Sequence, residues 1–223
     1  MSSVLIIDQG GCGLAMAYRM AEQGDTVYLF IEPKDSNDQD AGKGMHPNII
    51  KVKEWLPLAM KVDLITCTEN GNYLPKLDAI RKKSQNVFCP SQKFADLEIK
   101  RGDGLKFCED HGLKVPEYKT FKSIKEAEQY VIDNPEQYVF KTLGDNDDKA
   151  LTYVGKTAKQ MVQQLRMWQE EGVSIKGEVM LQKFVKGIEF GCSRWIGKNG
   201  FFGPVEETFN TTLLASINVN LTS

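Results

Sequence analysis

Four short apolar runs in the first 90 residues, at 4–7, 27–30, 64–67 and 87–88, alternate with segments of helical period. That alternation is the signature of βαβ units, because parallel neighbours need a crossover between them. Between the first two runs, Leu14, Ala17, Tyr18 and Ala21 fall at i, i+3, i+4 and i+7, an amphipathic helix that Gly24 ends. Residues 32–48 are polar and rich in Asp, Lys and Gly, and read as a loop. A short strand at 49–52 and a helix at 74–83 complete the pattern before Pro90 stops the fourth run. The expected fold class is α/β, opening with a doubly wound, mostly parallel sheet of roughly five strands.

Residues 91–116 read as a helix-rich connection, broken at Gly102 and Gly104 and closed by Gly112 before Pro116. The pattern then changes. Ser123 to Glu126 form a capping box that opens a helix to about residue 133, and Thr157 to Gln160 cap another to about 171. Strands are expected at 138–141, 151–154, 179–184 and 189–196, with 197–200 as a hairpin turn into Phe201 and Phe202. This describes an α+β region with hairpins. The expected organisation is a parallel-sheet domain over 1–90, a helical connection over 91–116 and a second domain over 117–223.

The 223 residues carry 28 Lys and Arg against 30 Asp and Glu, a formal charge of -2, so no basic footprint for nucleic acid stands out. With 41% hydrophobic and 26% charged residues, disordered and fibrous classes are excluded. No apolar run approaches the roughly 18 residues of a spanning helix, so no membrane partner is expected. The first residues lead straight into the first run without a charged leader, and no secretory signal is expected. The five Cys are odd in number and scattered, which fits reduced thiols in a cytoplasmic protein and argues against zinc. From Thr208 to Ser223 there is no charge: either a buried strand pair, or the edge of a domain that this chain does not complete, exposed or paired with another copy in a homo-oligomer.

Three segments could carry chemistry. Gly10, Gly11 and Gly13 lie where the first strand meets the first helix, so their N–H groups could receive an anion; a tight turn explains the same residues. The dinucleotide fingerprint is not met, since position 16 is Met, and Glu32 only loosely offers its ribose-binding acid. Lys141 ends a strand and precedes a polar loop with Lys149, where it could meet phosphate oxygens; the run Asp145 to Asp148 lacks the spacing of a calcium loop. In 179–190 an apolar strand enters, a linker turns at Gly187, and Glu189 begins the next strand. Such a linker can offer backbone groups to an adenine edge and a carboxylate to ribose hydroxyls, or be a plain hairpin.

Taken in order, these residues resemble the ATP-grasp ligases and, within them, the phosphoribosylamine–glycine ligase family. Val87 to Ser91, Leu97 to Arg101 and His111 to Pro116 resemble the family's entry to its ATP-binding part; 121–130 resembles its following helix, 138–141 its phosphate-lysine strand and 181–189 its nucleotide linker. The resemblance implies an N-terminal Rossmann-like sheet followed by an incomplete ATP-grasp region. It implies that Arg101 and Lys141 contact ATP phosphates, that Gln182, Lys183 and Val185 meet the adenine, and that Glu189 holds the ribose. By the same resemblance, the turn of Gly11 and Gly13 would help bind the phosphoribosyl substrate. The implied reaction joins glycine to phosphoribosylamine with ATP and magnesium in purine biosynthesis.

Departures accompany the match. The loop after Lys141 keeps Lys149 but is acidic rather than glycine-rich, and its charges would repel a triphosphate unless magnesium or Lys149 intervenes. No Glu and Asn pair for magnesium can be placed after Glu189, so no metal ligand is assigned and the chain resembles the front two thirds of a ligase. The alternatives are a non-catalytic adenine-nucleotide-binding protein and, third, a nicotinamide-dependent oxidoreductase.

Overall fold

The computed structural model describes residues 1–32, 40–68, 71–143, 151–188, 190–197 and 199–209. The first ninety residues form an all-parallel sheet from β1 (Ser3–Asp8), β2 (Thr26–Ile31), β3 (Ile49–Lys51), β4 (Leu64–Cys67) and β5 (Val87–Phe88), in the order β3-β2-β1-β4-β5. Helix α1 (Leu14–Glu22) buries Ala17 and Ala21 against Val4, Ile6, Val27 and Leu29. Helix α2 (Leu74–Arg81) buries Leu74, Leu77 and Ile80 on the opposite face, against Leu5, Ile7 and Ile65. Alternate residues of β1 thus enter two different cores, and this explains why its run is apolar without interruption.

Helices α3 (Gln92–Ile99) and α4 (Arg101–Asp110) follow, meeting at Lys100, whose φ of -93° and ψ of 85° leave the helical region. Gly104 makes this corner possible, because a Cβ there would run into the carbonyl oxygen of Leu97. Backbone cannot yield as a side-chain tip can. Gly104→Ala should therefore destabilise the chain by roughly 2 kcal/mol, within the range for overpacking, as read by urea denaturation. A change below about 0.5 kcal/mol would show that the corner opens freely.

A second sheet has the order β6-β9-β7-β8, from β6 (Tyr118–Phe121), β7 (Tyr138–Thr142), β8 (Tyr153–Val154) and β9 (Val179–Lys183), all antiparallel. Helices α5 (Ile124–Asp133) and α6 (Ala158–Glu170) cover one face through Ala127, Val131, Met161 and Leu165, packed on Phe140, Val179 and Leu181. Both begin as their caps require. Ser123 Oγ accepts from Glu126 N at 3.2 Å and Thr157 Oγ1 from Gln160 N at 3.2 Å; the Glu126 and Gln160 side chains accept in turn from the Lys122 and Lys156 N–H groups. The strand expected over 151–154 is only Tyr153–Val154, and β6 was not foreseen.

The last described elements, β10 (Phe190–Gly197) and β11 (Gly200–Phe209), pair as an antiparallel ribbon closed by Gly197 opposite Gly200. β11 is far longer than the Phe201 and Phe202 expected. Phe88 on β5 packs against Trp195 and Phe202 with ring centroids 5.1 and 6.5 Å apart, yet all three rings remain exposed, as do Ile196 and Phe201. Of the uncharged stretch from Thr208 on, residues 210–223 lie outside the described residues. No described helix is long and apolar enough to cross a membrane, and none of the five Cys, all of them among the described residues, forms a disulfide.

Candidate nucleotide site

The sheet of β6, β7, β8 and β9 has one face under α5 and α6 and another that carries the polar residues. Register decides which is which. Phe140 opposes Leu181 on the helix side, while Lys141 opposes Met180, and Val139 and Tyr118 oppose Gln182 on the other. Lys141 and Gln182 therefore share a face, and Lys141 Nζ donates to Gln182 Oε1 at 2.7 Å. Gln182 is only 8% exposed.

Arg101, the first residue of α4, reaches the same strand end: its Nη1 donates to the carbonyl oxygen of Thr142 at 2.9 Å. It is partly buried and makes no ion pair with any described residue. Burial pulls its pKa down from the usual guanidinium value, the direction expected when a cation loses water without gaining an anion. Four of its five N–H donors have no partner among the described residues, so an anion could take a bidentate place there. Arg101, Lys141 and Gln182, separate in sequence, are thus linked through β7.

Lys183 faces the other way. Its ammonium pairs with Glu117 at 2.8 Å and Glu136 at 3.2 Å, and the hydrogen bonds it donates to both carboxylates push its pKa up. Its backbone N–H donates to the Glu117 carbonyl, and that of Phe184 to the Gln137 carbonyl, so the root of the linker is tied to β6 and β7. What this position can offer a base is backbone, since the side chain is engaged elsewhere. Val185 lies exposed on the linker. Glu189 lies outside the described residues, as do Asp145 to Asp148 and Lys149.

Gly11 and Gly13 are engaged within the first sheet. Asp8 Oδ1 accepts from Gly10 N at 3.1 Å, Gly11 N at 3.0 Å and Thr68 Oγ1 at 3.0 Å, and Oδ2 accepts from Gly13 N at 2.7 Å. This carboxylate, 0% exposed, occupies the place that an incoming anion would take. A Cβ on Gly13 would sit 3.0 Å from both Asp8 Oδ2 and Ile6 Cγ2, which accounts for glycine there. Glu32 is similarly engaged, accepting from Gln9 Nε2 at 2.9 Å and bonded to Tyr73, whose hydroxyl pKa is pushed up by burial first and by Glu32 second. The glycine turn that the nicotinamide alternative needs for an anion is therefore occupied by the chain's own carboxylate. Asp8 was missed in the sequence; an Asp two and three residues before glycines is the turn signal that points to it.

Among the described residues no group of three or more His, Cys, Asp or Glu side chains converges.

No protein-family model matches the chain. It is 26% identical over 132 residues to phosphoribosylamine–glycine ligase of Clostridium acetobutylicum, covering 57% of this chain and 32% of that protein. With the Lactococcus lactis protein of the same name it shares 23% over 203 residues, 86% of this chain and 47% of that one. The chain thus spans a third to a half of the length of these relatives. Its fold matches N5-carboxyaminoimidazole ribonucleotide synthetase of Thermotoga maritima with a TM-score of 0.63 at 20% identity, over 93% of this chain and 53% of that one. Phosphoribosylamine–glycine ligase of Thermotoga maritima matches with a TM-score of 0.59 at 18% identity, over 87% and 46%. Fold and sequence together mark the chain as a relative of the ATP-grasp ligases, with phosphoribosylamine–glycine ligases among its curated kin.

Proposed function

We propose that the chain forms the nucleotide-binding part of an ATP-dependent carboxylate–amine ligase of the phosphoribosylamine–glycine ligase type. The observation that carries this reading is the partly buried Arg101 guanidinium, joined among the described residues only to the neutral Thr142 carbonyl, beside the Lys141 and Gln182 pair on one sheet face. A guanidinium with no ion pair among the described residues, held on a rigid element beside an ammonium, suits a polyphosphate. The curated relatives support the choice of glycine and phosphoribosylamine as substrates.

In such a reaction a carboxylate oxygen attacks the γ-phosphorus and ADP leaves. The amine nitrogen then attacks the acyl carbon, losing a proton as inorganic phosphate departs. Arg101 and Lys141 would orient the phosphates and offset the negative charge gathering on them, so catalysis is positioning plus charge neutralisation. Glu189 would accept from the ribose hydroxyls.

The test is calorimetric titration with ATP, NAD and adenine, followed by assay for phosphate release with glycine and phosphoribosylamine. ATP should bind and NAD should not. Equal affinity for the two would sink the reading. Glu189→Gln should weaken ATP by a few-fold while leaving adenine unchanged, because an amide accepts at only one of its two ends. Equal losses for both ligands would remove Glu189 from the ribose.

A further inference from the structure

We propose that Gln182 sets the base selectivity of this site by donating a hydrogen bond, so that purines with an oxo group at position 6 are accepted alongside adenine. The proposal rests on the reading that a purine nucleoside triphosphate lies along Arg101, Lys141 and the linker. It goes beyond that reading by naming which edge chemistry the strand can recognise.

The orientation of the amide follows from elementary donor counting. An ammonium group has three donors and no acceptor, so the atom of Gln182 that lies 2.7 Å from Lys141 Nζ must be its oxygen. The usual ambiguity between amide oxygen and nitrogen is removed by this neighbour. Nε2 is left facing away from Lys141 with two N–H groups, and it makes no hydrogen bond to any described residue. Yet among the described residues no buried side-chain nitrogen or oxygen lacks a partner. Nε2 is therefore an atom through which this nearly buried residue reaches accessible space. A residue that is 8% exposed thus presents a donor at the edge of the sheet face that carries Lys141, one residue before the linker begins.

A donor fixed in place discriminates by what it meets. The 6-oxo group of hypoxanthine accepts, whereas the 6-amino group of adenine offers its own hydrogens, and two donors facing each other repel. Adenine must then turn a ring nitrogen toward Nε2 or leave it to water. A carboxylate at 182 reverses the preference: one oxygen keeps the bond to Lys141, and the second accepts from the amine but repels an oxo group. Lys183 does not interfere, since its ammonium is held on the far side by Glu117 and Glu136.

The experiment measures the affinities of ATP and ITP, which differ at position 6 and the adjoining ring nitrogen, on the wild-type chain, Gln182→Glu and Gln182→Met. Contacts of the base with the linker backbone cancel when the ITP-to-ATP affinity ratio of a variant is divided by that of the wild type. Gln182→Glu should lower this ratio by about tenfold, the effect of roughly 1.4 kcal/mol. Gln182→Met, which keeps the length and removes the donor, should lower it a few-fold. Both nucleotides binding with a ratio that neither variant moves would overturn the proposal while leaving the nucleotide site intact. Failure of both nucleotides to bind the wild-type chain would overturn the underlying reading, and the proposal with it.

Discussion

Replacing Asp8 with alanine should cost on the order of 4 kcal/mol of stability, the largest loss expected from a single side chain outside the apolar cores. Its carboxylate accepts from three backbone N–H groups and the Thr68 hydroxyl at 2.7 to 3.1 Å, in a 0% exposed position. Hydrogen bonds to a charged group contribute about 1.5 to 3 kcal/mol each, but the set is not additive and water can enter part of the gap, so a value below the sum is appropriate. For a chain of this size the melting temperature should fall by about 10 °C. Asp8→Asn should fall between, since the amide keeps one acceptor but turns N–H groups toward other donors. A loss below 1 kcal/mol for Asp8→Ala would show that the turn between β1 and α1 holds by glycine geometry alone.

The second large effect concerns affinity. Arg101→Leu combined with Lys141→Ala should weaken ATP binding by at least a hundredfold, with each single change costing about tenfold or more. Charge-assisted hydrogen bonds in a partly desolvated cleft are worth roughly 1.5 to 3 kcal/mol, and each 1.4 kcal/mol is a factor of ten. Stability should move far less, because leucine keeps the apolar stem of Arg101 packed and removes the cost of burying its charge. Adenosine, which has no phosphates, should change far less in affinity than ATP between the wild-type and doubly substituted chains. If ATP and adenosine lose affinity equally, the two cations support the fold and not the phosphates.

Much of the architecture is legible without the structure, for local reasons. The runs that become β1, β2 and β4 are continuous and apolar because both sheet faces are covered, and the Ser123 and Thr157 caps lie within a residue of where α5 and α6 begin. Period and capping chemistry are properties of neighbours in sequence. β6 escaped because Tyr118, Lys119, Thr120 and Phe121 do not alternate cleanly; Lys119 stays on the helix-covered side by lying over the Tyr130 ring, 4.4 Å from its centroid. Only pairing with β9 makes that segment a strand.

The site divides the same way. Lys141 at a strand end and the linker after Lys183 are visible as residues in order, and that order carries the resemblance to the ligases. Which way each side chain faces is not visible, because a strand presents successive residues to opposite faces and the face is assigned by what packs on it. Tertiary structure alone put Gln182 on Lys141 and sent Lys183 to Glu117 and Glu136. It also filled the glycine turn with the carboxylate of Asp8, so that N–H groups which in sequence could receive any anion receive one from the chain itself. The sequence by itself determined the elements and their order, since these depend on residues a few positions apart. Contacts across 41 positions, such as Arg101 to Thr142 and Lys141 to Gln182, were decided only when the sheets closed, because hydrogen bonds between such distant residues need register and packing to bring them within reach.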